Sequence, residues 1–495
     1  MSETQAAVTS VPVTTAKQEK NPLLPTLERM QAAFIDHGSP SYSERRKHLD
    51  ALGKAIAKYQ DELVEAVMAD FGHRSKHETF VAEVLGALAE LRGAKANLKK
   101  WMKPKTVPWS MMGGLAKGKI VYQPKGVIGI MSPFNYPVYL IFSPLVDVLA
   151  SGNRAMIKPS DLTPRTGEVV KKMVAEFFDP DYVTVITGDV QASIWFSELP
   201  FDHLVYTGGT EVARSVMQAA AKNLTPVTLE LGGKSPTIIS ESYPMQSAVN
   251  SILLGKLVNS GQTCIAPDYV MLPESRVQEF VSIVTTEITN RYPYLKDNPD
   301  ITWIINDRHF GRIKGLIEDA RKKGANVIQV NPKNEDIPEG ARVIPPTVIT
   351  GVNDDMMVMQ QEIFGPVIPV MTYKRIEDAI RYVNSHPRPL ALYYFDNDKK
   401  RVDLVVTQTI SGGACVNETM LHISHESLPF GGVGTSGIGH YHGFEGFKEF
   451  SHQKSTLYQN PLFSPAGMIK QPYPEQIRGR NLMDLLRSAV NFLSR

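Results

Sequence analysis

Cysteine is scarce: the 495-residue chain has two, Cys264 and Cys415. So small a number excludes a disulfide framework and a four-cysteine zinc site, and it fits a reducing compartment. An excess of one charge is missing as well. Against 53 Lys and Arg stand 51 Asp and Glu, for a formal net charge of +2. Nucleic-acid binders usually carry a large basic surplus, so no nucleic-acid partner is expected, while an anionic ligand at one local site stays open. Long apolar runs are lacking too. The longest, Val138–Ala150, is interrupted by Pro144 and Asp147 and is too short to cross a bilayer. Met1–Lys20 has neither the apolar stretch of a signal peptide nor the arginines of a transit peptide. A disordered tail is expected there, on a soluble cytoplasmic protein with no membrane partner.

What is present is the composition of an ordinary globular protein, 42% hydrophobic and 21% charged. The length suits two or three domains at ~150 residues each. Leu27–Met102 carries apolar residues at helical spacing, clearest in Leu52–Tyr59 and Leu63–Met68. Pro104 and Pro108 close that region. The pattern then changes. Lys119–Gln123 and Gly126–Met131 are β-branched runs bounded by Gly and Pro, which predict strands. Strands at Ala155–Lys158, Val183–Ile186, His203–Thr207 and Val227–Glu230 alternate with helices at Thr166–Phe178 and Glu211–Asn223. From Ser247 a helix and a turn lead into a second series, Tyr269 to Val416, with a strand at Val367–Met371 and a helix at Ile376–Asn384. Such alternation implies parallel sheets covered by helices, so the fold class is α/β with two successive sheets. Asn481–Arg495 predicts a short amphipathic helix packed on the core.

Several glycine signatures need separating. Gly432–Gly437 matches G-x-G-x-x-G, but it neither follows a predicted strand nor opens a helix, so it reads as a structural loop. Gly232-Gly-Lys-Ser235 lacks the earlier Gly of a phosphate loop, because Thr228 stands there. Thr207-Gly-Gly-Thr210 does link a strand to a helix. It is either an ordinary tight turn or a helix N-terminus whose N–H groups approach a phosphate. Lys158 and Asp161 end a strand, where ligands gather in doubly wound sheets; a solvated loop is the plainer alternative.

Cys264 sits in a Gly-containing turn between a helix and a strand, where either a packing or a reactive role is open. Cys415 lies among small apolar residues and reads as a packing residue. His422, His425, His440 and His442 cluster without supporting cysteines and with few carboxylates, so no metal is expected.

Four segments taken together resemble the aldehyde dehydrogenase superfamily: Pro133-Phe-Asn-Tyr-Pro137, Leu229-Glu-Leu-Gly-Gly-Lys-Ser-Pro236, Gly261-Gln-Thr-Cys264 and Glu362-Ile-Phe-Gly-Pro366. Their order and spacing match over about residues 25 to 460. Within it, Cys264–Val270 and Tyr441–His452 resemble the class 3 branch. The resemblance implies a Rossmann-like cofactor domain at 21–105 and 126–231 and an α/β catalytic domain at 232–422. It also implies a bridging arm at 106–125 and 423–460, whose β-hairpin pairs subunits of a homodimer. A disordered tail at 1–20 and an extension at 461–495 complete the expected organisation.

The resemblance also implies roles. Cys264 is the nucleophile, Asn135 an oxyanion donor through its side-chain amide, and Glu230 the base that activates water. Lys158 and Asp161 match contacts to the adenosine ribose of NAD. Gly208, Gly209 and Thr210 match the pyrophosphate turn, and Glu362 and Phe364 the nicotinamide ribose. Two residues depart from the branch. Phe134 replaces a frequent Trp, and Asp161 a frequent Glu, which implies NAD preference with some NADP use. Phe134, Tyr136, Tyr139 and Phe142 line an aromatic substrate tunnel or simply pack the core. Glu230 favours water over CoA or phosphate as the acyl acceptor. The presence of Cys264, Glu230 and Asn135 together weighs against a non-catalytic binding protein.

Overall fold

The computed structural model describes residues 21–108, 116–460, 472–473, 475–477 and 479–494. The tail expected at Met1–Lys20, the tip of the expected hairpin and residues 461–471 of the extension lie outside the described residues. The chain divides into two compact units, one from Met1–Trp101 with Pro124–Ser451 and one from Met102–Gln123 with His452–Arg495.

The larger unit opens with helices. Tyr42–Phe71 starts at a capping box, in which Ser41 and Glu44 satisfy each other's end of the first turn. Its buried stripe of Leu49, Leu52, Ile56, Leu63 and Val67 follows the helical period. Farther on, a π-helical segment, Phe80–Leu85, joins the short helix Lys76–Thr79 to Gly86–Trp101. Its wider turn puts Glu83 fully inside while Val81 and Leu85 remain exposed.

A six-stranded sheet follows, in the order Gly437–Ile438, Val227–Glu230, His203–Thr207, Val127–Met131, Arg154–Lys158, Val183–Val185. All neighbours are parallel except the first pair, where Gly437 faces Glu230 in antiparallel register. Val127–Met131, Arg154–Lys158 and His203–Thr207 are buried along their whole length, as a sheet covered on both faces requires. The crossover helix Tyr139–Ser151 is buried from Leu140 onward.

The second sheet has seven strands, ordered Asn326–Gln329, Thr347–Thr350, Val367–Tyr373, Tyr269–Pro273, Pro236–Ile239, Ala391–Phe395, Gly413–Val416. Only the edge strand Asn326–Gln329 is antiparallel. The loops that enter three adjacent strands from their amino ends carry 231–235, 261–268 and 361–366. In the first sheet the carboxyl ends carry Lys158, Thr207 and Glu230. That edge is where doubly wound sheets collect ligands.

The Gly432–Gly437 segment is structural. A Cβ on Gly432 would lie 2.0 Å from the Ser436 carbonyl oxygen, so glycine is what allows the chain to turn back on the sheet edge. In the smaller unit, Lys105–Thr106 pairs antiparallel with Lys117–Pro124, and Ser451–Tyr458 completes a three-stranded sheet. The C-terminal helix forms at Leu482–Leu493. None of its residues is buried.

Candidate active site

Cys264 lies in a loop built on unusual backbone. Asn259 and Ser260 have φ of 52° and 49°, and Gly261 follows at 72°. A Cβ on Gly261 would stand 2.5 Å from the Gly365 carbonyl oxygen, so this position needs glycine for both conformation and space. The loop is tied from within and from outside. The Asn259 amide donates to the carbonyls of Gln262 and Asn135 at 3.1 and 2.9 Å. Gln262 donates to Asn259 and Trp303 and accepts from the Ile305 N–H. Tyr136, next to Asn135, shares a 2.7 Å hydrogen bond with Thr263. Asn135 itself is 3% exposed.

Glu230 ends its strand in full burial, and neither carboxyl oxygen has a hydrogen-bond partner. Burial, and then the charge of Glu449, push its pKa well above the usual carboxylate range. Cys264 is affected in the same sense. Burial, then Glu362, then Glu230 push its thiol up to about 12, while the N–H groups of Cys264 and Ile265 act against that push. The structure therefore brings together Cys264, Glu230 and Asn135 from three separate segments. Cys415 is a partly buried free thiol packed against the core of the second sheet.

Between the two sheets a cavity of 660 Å³ is lined by Thr210, Gly232, Lys234, Glu362 and Arg388 among others. Thr210 opens the helix Thr210–Ala221 from one side. Glu362 enters from the other, its Oε1 buried without a partner and its pKa raised to about 7 by burial and by Asp268. A Cβ on Gly232 would fall 2.3 Å from that carboxylate, whereas one on Gly209 would meet nothing within 4 Å. An open helix N-terminus favours phosphate, and a carboxylate with one oxygen unpartnered favours a ribose hydroxyl. The residues present fit a dinucleotide. Phe364 follows Glu362 with φ 50° and meets Phe134 edge-on, ring centroids 5.9 Å apart. Lys158 is buried, its Nζ donating to the carbonyls of Pro159 and Gly188 at 2.9 and 3.1 Å. One N–H remains for a ligand. Asp161 is exposed beside it.

Some supporting residues were not singled out from the sequence. Lys234 pairs with Asp268 and donates to the carbonyls of Val358 and Gln361, and Arg312 holds those of Glu362 and Ile363. Together they pin the Glu362 loop. Lys234 sits in the Gly232–Ser235 motif and was visible there, but its partner, 34 residues on, was not. Of the aromatic residues near Asn135, Phe142 is core, while Phe134 and Tyr139 are partly exposed.

A thiol within electrostatic reach of a buried carboxyl, together with a cleft lined by Thr210 and Glu362 between two mostly parallel sheets, fits a nicotinamide-dependent oxidoreductase. The chain belongs to the aldehyde dehydrogenase family, whose model matches residues 3–456. It is an NAD(P)-dependent enzyme that oxidises aldehydes to carboxylic acids. The chain is 47% identical over 463 residues to a Pseudomonas aeruginosa protein described as "Probable coniferyl aldehyde dehydrogenase", covering 94% of this chain and 96% of the relative. It is 44% identical over 454 residues to the coniferyl aldehyde dehydrogenase of a Pseudomonas species, covering 92% and 94%. The substrate-bound structure of Staphylococcus aureus AldH superposes with a TM-score of 0.85 at 34% identity, covering 94% of this chain and 99% of that one. Among the described residues no helix is long and apolar enough to cross a membrane.

Proposed function

We propose that the enzyme oxidises coniferyl aldehyde to ferulate at Cys264, with Glu230 and Asn135 as its partners and NAD as the preferred cofactor. The observation that carries the mechanism is the approach of Cys264 to Glu230. A thiol lies within electrostatic reach of a buried carboxyl whose two oxygens are unpartnered. The Cys264 sulfur attacks the aldehyde carbon and forms a thiohemiacetal. The oxyanion is met by the Asn135 side-chain amide and the Cys264 N–H; losing one such donor typically costs ~10²–10³ in kcat. NAD would be held by Gly208, Gly209, Thr210, Lys158, Asp161, Glu362 and Phe364, and when bound it would supply a hydride acceptor, the oxidant that brings the substrate carbon to the acyl level. Glu230 takes a proton from water, the water oxygen attacks the thioester carbon, and Cys264 leaves as the free thiol.

The similarity to two coniferyl aldehyde dehydrogenases over more than nine-tenths of the chain supports the substrate. Aromatic Phe134, Tyr136 and Tyr139 beside Asn135 suit a hydroxycinnamyl ring. The test is steady-state oxidation of coniferaldehyde, benzaldehyde and hexanal with NAD, scored by acid product, with Cys264→Ala as the inactive control. A kcat/KM at least about tenfold higher for coniferaldehyde, ~1.4 kcal/mol in transition-state binding, is expected. Equal or better use of hexanal replaces this reading with a broad class 3 aldehyde dehydrogenase acting on medium-chain or aromatic aldehydes.

The same proposal includes a cytoplasmic homodimer with the cofactor domain at 21–105 and 126–231, the catalytic domain at 232–422 and the arm at 106–125 and 423–460. Light scattering that returns a stable monomer would overturn the dimer.

A further inference from the structure

We infer that Arg74, paired with Glu83, is a positioning residue for the oxyanion site: it holds the main chain of Asn135 so that the Asn135 amide stays aligned with the Cys264 loop. The inference rests on the roles proposed above for Asn135 and Cys264.

The two side chains are wholly inaccessible and form an ion pair, Nη2 to Oε1, at 3.0 Å. Each then reaches the segment that carries Asn135. Arg74 Nη1 donates to the Asn135 carbonyl at 2.7 Å. Glu83 Oε2 accepts from the N–H groups of Val138 and Tyr139 at 2.6 and 3.3 Å. The pair thus grips both ends of Asn135–Tyr139. The Asn135 carbonyl takes a second hydrogen bond, from the Asn259 amide, and the Asn259 N–H is in turn held by Glu78 at 2.9 Å. Arg74, Glu78 and Glu83 all belong to one stretch around the π-helical turn. That stretch therefore fastens both walls of the oxyanion site.

Stability does not explain the pair. Burying two charges is costly, and well-packed apolar residues would fill the space at least as well. What an apolar pair cannot do is bind the main chain at Asn135 and again at Val138 and Tyr139. The planar guanidinium also packs over the rings of Phe71 and Tyr136, 4.8 and 5.1 Å from their centroids. A lysine would keep the charge but lose that two-ended fork.

The experiment is a double-mutant cycle on the full-length enzyme with coniferaldehyde and NAD. It uses Arg74→Lys, Glu83→Gln, Asn135→Ala and the two double variants with Asn135→Ala, each checked for fold by circular dichroism and thermal melting. Arg74→Lys is expected to lower kcat between about tenfold and a hundredfold, with aldehyde KM within about threefold of the parent. Glu83→Gln should show a smaller loss. In the Asn135→Ala background neither change should lower kcat further, because no amide remains to be misplaced. Losses that multiply with that of Asn135→Ala, or an Arg74→Lys enzyme within about twofold of the parent, would overturn the inference. Should Arg74→Lys not fold, the Glu83→Gln cycle decides by the same criterion. If Asn135→Ala alone keeps its kcat, the oxyanion reading fails first, and visibly apart from the Arg74 result.

Discussion

The side-chain amide of Asn259 donates to the main-chain carbonyl of Asn135 at 2.9 Å, across 124 positions of sequence. One bond thereby joins the loop leading to Cys264 to the loop that presents the Asn135 amide. Asn259 can serve there because asparagine tolerates its positive φ of 52° better than most residues. Asn259→Ala removes two buried donations and places a less tolerant residue at that φ. A destabilisation of about 1–3 kcal/mol is expected, chiefly from the Gln262 carbonyl losing this donor, since the Asn135 carbonyl keeps its bond from Arg74, together with a lower kcat. Chemical denaturation alongside steady-state kinetics checks both. An unchanged kcat would show that the two loops keep their alignment without this bond.

Glu230 makes opposite demands on stability and activity. Its pKa is raised from 4.5 by burial, so the native state holds its proton to higher pH than the unfolded chain does. Stability from this group is complete at low pH and is lost as pH rises above the unfolded value. Glu230→Gln removes that loss, so the melting temperature of the variant should gain on the parent as pH rises. Activity should move the other way. Glu230→Gln is expected to lose at least about a hundredfold in turnover, with an acyl adduct accumulating on Cys264 in intact-protein mass spectrometry. A variant that turns over normally would remove Glu230 from deacylation.

The thiol of Cys264 is held up to about 12 by burial first and by the charge of Glu362 second. Burial first, and then the charge of Asp268, push the Glu362 carboxyl up to about 7. In the absence of cofactor, alkylation of Cys264 by iodoacetamide should climb through pH 7 to 9 without a plateau, as follows for a thiol pushed up to about 12. Glu362→Gln deletes the larger of the two neighbouring charges and lowers the thiol pKa, so it should speed alkylation above neutral pH. No acceleration would mean that the carboxylate does not act on the sulfur.

Asp161 is exposed at the end of the Arg154–Lys158 strand, two residues past Pro159. In the proposed cofactor site a carboxylate there would accept from a ribose hydroxyl and repel a 2′-phosphate, and an aspartate reaches less far than a glutamate. The parent should favour NAD while using NADP measurably. Asp161→Ser should raise the NADP to NAD ratio of kcat/KM by roughly tenfold, about 1.4 kcal/mol of lost repulsion. A parent enzyme that strongly prefers NADP would contradict this assignment.

Much of the fold was legible because it follows local periodicity. The strands His203–Thr207 and Val227–Glu230 lie where their β-branched runs predict. The helix expected at Glu211–Asn223 forms at Thr210–Ala221, and that expected at Thr166–Phe178 forms at Pro164–Phe177. The candidate residues Cys264, Glu230, Asn135 and Glu362 were legible through their motifs, which name residue types at fixed local spacing.

Other features leave no local trace. Nothing near Arg74 or Glu83 marks them, because a buried ion pair that grips the main chain 55–61 positions away obeys no helical or strand period. The Lys234–Asp268 pair is silent for the same reason. The C-terminal helix shows the converse. Its amphipathic pattern predicts a helix correctly, yet pattern alone does not say what covers the apolar face, and none of its residues is buried. The sequence by itself determined the order of strands and helices, because neighbours along the chain set it, and its family resemblance named the candidate reacting groups. Tertiary structure alone decided that Glu230 comes within electrostatic reach of Cys264 and that Thr210 and Glu362 share a cavity. Those meetings depend on the carboxyl edge of one sheet confronting the amino edge of another, and packing free energy rather than local preference sets that arrangement.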